Sequence, residues 1–277
     1  MARFGYPDLM RAGLGNMLYP WARCFVWCRS EGAEMLAPRW FKLRLGPYVR
    51  READKRRYDR LFTSNGYVTG TKRALTLARG SIRGERETTR PPAGRPEVVR
   101  FSGLDDYFVP LYGHNAALKA ELLRITRPWL RPAHSNEPFL AVHVRCGDFT
   151  DEMRQPQDWY VSAVRAIRSE IGEVAVRLYS DGDADELRPL LDLPGLNFVK
   201  GKSAVTDLLA MADARVIVAS SSTFSMWSSF LGDVPSIWFP GRMWQPPTPE
   251  AESHIEWDGV TALPAPFTRR VAMGRQA

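Results

Sequence analysis

The sequence predicts an α/β fold with a mostly parallel sheet covered on both faces. Three observations predict it. From residue 139 to 239, apolar strand-like runs alternate with amphipathic helical stretches through short links, the pattern of successive βα units. The run Phe139-Leu140-Ala141-Val142 leads into His143-Val144-Arg145-Cys146-Gly147-Asp148. An interior strand thus ends on charged and small residues, where open α/β sheets place ligand-binding groups. Right-handed crossovers between parallel strands then favour a Rossmann-like arrangement.

Taken in order, Gly13-Leu14-Gly15-Asn16 forms a tight turn into a helix over 14–28, in which Leu18, Trp21, Phe25 and Cys28 share a face. The strand expected before Gly13 is short and carries Pro7 and Asp8. Residues 33–37 are a further strand. Residues 39–97 show no clear period, and 81–97 (SIRGERETTRPPAGRPE) reads as an exposed loop. A helix is expected over 115–130, with Leu118, Leu122, Ile125 and Trp129 on one side. Pro132 and the polar residues after it mark a domain junction, giving domains 1–131 and 132–277. Beyond it the spacing predicts strands at 139–144, 174–180, 197–199, 215–219 and 234–239. Helices fall at 157–171, 183–191, 203–212 and 223–231, the last stopped by Gly232.

Bulk properties narrow the class. The length of 277 residues suits one large domain or two of about 100–150 residues. No run approaches the ~18 apolar residues of a membrane span, and the amino end shows no signal-peptide segment. Cys24, Cys28 and Cys146 are an odd set, as expected in a reduced compartment. Net charge is +7, and residues 39–95 hold 16 Lys/Arg against 5 Asp/Glu, an excess of 11. Such a stretch suits anionic lipid, nucleic acid, an anionic sugar or plain solvation. Aromatics are sparse within it and no nucleic-acid module is visible, so nucleic acid is not expected as a partner.

Three polar clusters fall at predicted strand ends. His143 and Arg145 share a strand face, and Asp148 follows the turn glycine. Arginine's rigid fork suits phosphate oxygens, although an Arg–Asp pair beside a buried histidine would explain the same residues. Ser220-Ser221-Ser222-Thr223 precedes a helix whose N-terminus favours anions, although capping needs only one of these hydroxyls. Asp181 and Asp183 close another strand, and either serves equally to recognise a guanine or to cap the next helix.

In company these segments resemble the α-1,2-fucosyltransferase family and its wider GDP-fucose-using relatives. His143 to Asp148 is similar to their HxRxGD signature, Tyr179-Ser180-Asp181 to a second motif, and 218–227 (VASSSTFSMW) to a third. Gly13 to Leu18 resembles the family's amino-terminal GLGNQMF turn, and 101–108 its aromatic segment. The chain departs from the pattern at three points, the first being the short strand before Gly13, with its Pro7 and Asp8, where a core strand is expected. Met17 directly follows Asn16, so the Gln is missing, and Cys146 stands where a second arginine is common.

The resemblance implies a GT-B fold, two Rossmann-like domains facing across a cleft, the amino-terminal one on the acceptor side. It implies inverting, metal-independent transfer of fucose from GDP-fucose, with no further cofactor and no metal. Arg145 would be the catalytic grip on the diphosphate. His143 would line the nucleotide pocket, Asp148 hold the loop and Asp181 read guanine. Ser222, Thr223 and Ser225 would bind phosphate or sugar, while Gly15 and Asn16 would approach the donor from the other domain. The implied partners are the nucleotide sugar and a glycan or lipid-linked oligosaccharide acceptor, in bacterial surface-polysaccharide synthesis. Asp105, Asp106 and His114 are candidates for a general base or for structural capping. A cytoplasmic location follows from the resemblance, with peripheral contact at the inner membrane through the basic 39–95 stretch.

Overall fold

A computed structural model describes residues 2–41, 57–88, 92, 94–135, 137–147, 150 and 152–274. The chain divides into two compact units, Met1–Trp129 and Leu130–Ala277. Each is α/β, and each is built on its own parallel sheet. No helix among the described residues is long and apolar enough to cross a membrane.

The first unit contains β1 (Arg3–Pro7), α1 (Leu14–Glu31), β2 (Glu34–Met35), α2 (Gly70–Arg79), β3 (Ser81–Gly84), β4 (Glu97–Phe101) and α3 (Asn115–Ile125). Its sheet runs β2-β1-β4-β3, all parallel. The short β1 is therefore central, and Pro7 is tolerated as its last residue. Gly5 explains how α1 lies so close. A Cβ there would sit 2.7 Å from Cys24 Sγ and closer still to Cys28 Sγ, so the strand gives up a side chain to let the helix approach. Phe4, Leu36, Val68 and Val98 form the core on the opposite face, with Leu77 of α2 packed against them.

Several expected elements change. Residues 81–97 are not all loop, because Ser81–Gly84 pairs with β4. The charge that disguised this strand is neutralised across the sheet. Glu97 accepts Nε of both Arg3 (2.7 Å) and Arg83 (2.9 Å). Burial pushes the Glu97 carboxyl up, but the two guanidiniums outweigh it and hold it below the usual range. The strand expected at 33–37 shrinks to two residues plus a bridge from Leu36 to Val68. The helix expected over 115–130 ends at Ile125, since Pro128 cannot continue it and instead opens a 3-10 turn. Trp129 is consequently 61% exposed rather than part of a buried stripe.

The second unit contains β5 (Phe139–Val144), α4 (Gln157–Ile171), β6 (Ala175–Ser180), α5 (Arg188–Leu191), β7 (Leu196–Phe198), α6 (Ala204–Met211), β8 (Val216–Ala219), α7 (Thr223–Gly232), β9 (Ser236–Trp238), β10 (His254–Glu256) and α8 (Ala265–Met273). The six parallel strands run β10-β9-β8-β5-β6-β7. Renumbered from β5, that is the 3-2-1-4-5-6 order of the Rossmann fold. Leu140, Val142, Val144, Val176, Leu178 and Val218 face a core shared with α4, α5 and α8. The alternate residues of β5 face the other way, where His143 meets α7.

Here too the sequence reading needs correction. The helix expected over 183–191 is helical only from Arg188, because Asp183 Oδ1 caps a preceding turn by accepting the N–H groups of Asp185 and Glu186. The left-handed stop of α7 is Asp233 (φ 49°), not Gly232, which is the helix's last residue. Gly232 is required for another reason, since any Cβ would strike the Ala212 carbonyl. β10 and α8 add to the expected elements; the one is three residues long and the other nine.

The Gly5 contact yields a stability prediction. Gly5→Ala forces a methyl into the two thiols and should destabilise the chain by about 1–3 kcal/mol. A urea titration followed by tryptophan fluorescence reads the shift. An unchanged midpoint would contradict the close approach of α1 to β1.

Candidate functional site

The Rossmann order places a topological switch point between β5 and β8, where chain connections leave in opposite directions and open a crevice at the strand ends. The residues found there come from three strand ends. His143 is the penultimate residue of β5, and Arg145 and Cys146 follow it. Asp181 follows β6. Ser220 to Ser225 lead from β8 into α7.

Asp181 organises the turn after β5. Its carboxylate pairs with the Arg145 guanidinium and accepts the Cys146 N–H at 2.8 Å. Gly147 is packed so closely that a Cβ would collide with Asp181 Oδ2. This explains the glycine without recourse to unusual backbone angles. Arg145 and Asp181 each keep about a third of their side chain exposed, at 30% and 32%.

His143 is buried. Its Nδ1 lies 2.5 Å from Ser225 Oγ and 2.8 Å from Ser220 Oγ, and its ring tilts against Phe224. Burial depresses its pKa to about 4; the Asp181 carboxylate opposes that and the Arg145 guanidinium reinforces it. The imidazole is therefore neutral at physiological pH. Ser222 N-caps α7, its Oγ accepting the Phe224 N–H at 3.2 Å. Thr223 is half-buried beside it. Ser225 is fully buried and turned towards His143.

The expected residues divide accordingly. The structure brings His143, Arg145, Asp181, Ser222, Thr223 and Ser225 to one end of one sheet. Gly15 and Asn16 lie in the first turn of α1, in the other unit, and Asp148 lies outside the described residues. Asp181 and Asp183 have the spacing of a metal-nucleotide carboxylate pair, yet Asp181 is taken by Arg145 and Cys146 and Asp183 by its own turn. No group of three His, Cys, Asp or Glu suited to a metal occurs among the described residues. Asp105 and Asp106 pair with Arg86, and Asp105 also faces the buried Arg23. A carboxylate beside two guanidiniums makes a poor base.

One residue escaped the sequence reading. Asp207 stands in the first turn of α6, and burial lifts its carboxyl pKa to about 7. It contributes electrostatically to Tyr179, which shares the His143 face of the sheet. No hydrogen bond or ion pair among the described residues engages its side chain. The available signal was an aspartate set within the apolar stretch Ala204-Val205-Thr206-Asp207-Leu208-Leu209.

Chemically, the switch point offers a half-exposed arginine, two hydroxyls at a helix N-terminus and a neutral imidazole. That set suits a diphosphate with a polar base attached.

No protein-family model and no curated protein matches the chain. Among solved structures, a NodZ α-1,6-fucosyltransferase co-crystallised with GDP matches at 16% identity and a TM-score of 0.49, covering 86% of this chain and 95% of that one. The fucosyltransferase NodZ from Bradyrhizobium matches at 15% and 0.49, covering 87% and 97%. POFUT1 in complex with GDP matches at 13% and 0.49, covering 86% and 98%. At these values the likeness carries no weight in assigning function.

The buried histidines predict an acid-sensitive fold. His254 bridges Ser236 Oγ (2.8 Å) and Thr248 Oγ1 (2.7 Å), and burial lowers its pKa to about 3. Both histidines stay neutral when folded but gain protons when unfolded below about pH 6.5. Their contribution is complete above that value and is lost as pH falls towards about 4 and 3. Between pH 7.5 and 5 the loss should be on the order of 2 kcal/mol for each histidine. Urea midpoints across that range measure it, and a flat profile would show that neither ring is buried as described.

Proposed function

We propose that the protein is an inverting, metal-independent glycosyltransferase that moves fucose from GDP-fucose to a hydroxyl of a glycan. The observation that carries this reading is the convergence at the β5/β8 switch point. An Asp181-anchored Arg145, a neutral His143 and the hydroxyl-rich start of α7 meet where a Rossmann sheet holds a nucleotide. The nucleotide sugar comes from the family resemblance of the same segments, as does the GT-B assignment.

In this reading Arg145 is the catalytic residue. It grips the diphosphate and stabilises the charge that develops as the sugar departs, with the α7 N–H groups, Ser222 and Thr223 completing the anion site. Supplying that charge from protein groups is what lets the transfer dispense with a metal. His143 lines the nucleotide pocket and, held by Ser220 and Ser225, sets the first turn of α7. Asp181 acts as the anchor of Arg145. Asp207, on the Tyr179 face with an unengaged carboxyl, is better supported than Asp181 as the group that accepts guanine N–H donors. Asp148 keeps its proposed role in the loop. Gly15 and Asn16, at the start of α1, belong to the acceptor-side unit. The acceptor is a surface polysaccharide or its lipid-linked precursor, consistent with the basic excess of residues 39–95 and with peripheral membrane contact in a cytoplasmic bacterial enzyme.

Two measurements test the proposal. Calorimetry should show GDP bound in preference to UDP and CDP, and Arg145→Ala should cost about 1.5–3 kcal/mol of that affinity. A donor screen with GDP-fucose, GDP-mannose and UDP-sugars, run with a glycan panel, should show turnover with GDP-fucose that survives EDTA. Preference for UDP would overturn the fucose assignment and leave glycosyl transfer standing. Nucleotide binding without turnover would make the chain a binding protein.

A further inference from the structure

Cys146 is held at both ends of its residue. Asp181 takes its N–H, as described, while its carbonyl accepts Arg154 Nη2 at 3.0 Å. Arg154 is itself fixed, since its Nη1 donates to Glu186 Oε1 at 2.9 Å. The other Glu186 oxygen accepts the Asp183 N–H at 3.0 Å. Gly182 closes the arrangement, because a Cβ there would lie 2.7 Å from Cys146 Sγ. Cys146 is 3% exposed as a result. The segment after β6 thus forms a mould for the turn that carries Arg145.

We propose that Arg154 and Glu186 are a positioning pair. By fixing the Cys146 carbonyl they set the direction in which Arg145 presents its guanidinium, without either residue touching the ligand. The physical reason is division of labour. Asp181 alone leaves the turn free to pivot about the Cys146 N–H, whereas a second restraint at the carbonyl removes that freedom. Ordering the guanidinium before binding lowers the entropy lost on binding. The inference rests on the nucleotide reading of the site for its consequence, but not for its geometry.

Two readouts on the full chain separate these. The first is the alkylation rate of each cysteine by iodoacetamide, resolved by mass spectrometry. In Arg154→Ala and in Glu186→Gln, Cys146 should label at least tenfold faster than in the parent, while Cys24 and Cys28 stay protected. The second is GDP affinity by calorimetry. Each variant should bind about tenfold more weakly, the double variant no more weakly than either single one, and Arg154→Lys should recover part of the loss. Unchanged Cys146 labelling overturns the clamp. Faster labelling with unchanged GDP affinity overturns the positioning role and leaves a structural strut. Loss of protection at all three cysteines would mean general unfolding and also overturn it. If the parent itself fails to bind GDP, the nucleotide reading falls, while selective Cys146 labelling still upholds the clamp.

Discussion

The candidate site depends on one carboxylate. Asp181 faces Arg145, the Cys146 N–H and the bare Cα of Gly147 together. The carboxylate is met by a guanidinium and a backbone donor, both charge-assisted contacts. The same contact keeps Arg145 from folding back onto the protein surface or drifting into solvent. It also explains why the turn after β5 takes the form Arg145-Cys146-Gly147. The first residue supplies the charge, the second a backbone N–H, and the third the space. The pair is about one-third exposed, so its value to global stability is small; its value lies in where it holds the arginine.

The sheet order decides which groups meet. Because β5 is flanked by β6 and β8, the turns after all three parallel strands lie side by side at one end of the sheet. His143 has its neighbours for the same reason. Its position on the α7 face of β5 turns the ring towards Ser220 and Ser225, so Ser220, one of the four consecutive hydroxyls, serves the histidine, and Ser222 caps the helix. A neutral imidazole in this place adds no positive charge to the crevice. The charged groups at this end of the sheet are instead Arg145 and Arg154, each met by a carboxylate, Asp181 and Glu186.

Legibility in the sequence followed the physics of each segment. β5 and β8 were visible because strands buried on both faces read as largely apolar runs, and α4 because its apolar residues recur at helical spacing. β3 was hidden, since Arg83 belongs to a charged triad completed by residues 14 and 80 positions away, at Glu97 and Arg3. β1 looked too weak for a central strand because it is short and runs into Pro7 and Asp8, whereas Pro7 is only its last residue and Asp8 lies beyond it. The end of α3 was overrun because the spacing of Leu118, Leu122, Ile125 and Trp129 continues through Pro128, whereas the backbone does not. Period alone does not outweigh a proline.

At the candidate site, residue types were legible but partnerships were not. Asp181 was visible as a strand-end aspartate, a description that fits a base reader and a loop anchor equally. Only the fold shows its oxygens already engaged. Asp207 presents the reverse case. Its sequence setting, one aspartate among aliphatic residues on a short helix, looks like an ordinary first-turn acid stabilised by the helix dipole. Burial without a partner changes its meaning. A carboxyl whose pKa is lifted to about 7 is close to even protonation at neutral pH, and a ligand that brings hydrogen-bond donors would draw it into the ionised form. Binding of such a ligand would therefore release a proton, and its affinity would rise with pH through the neutral range.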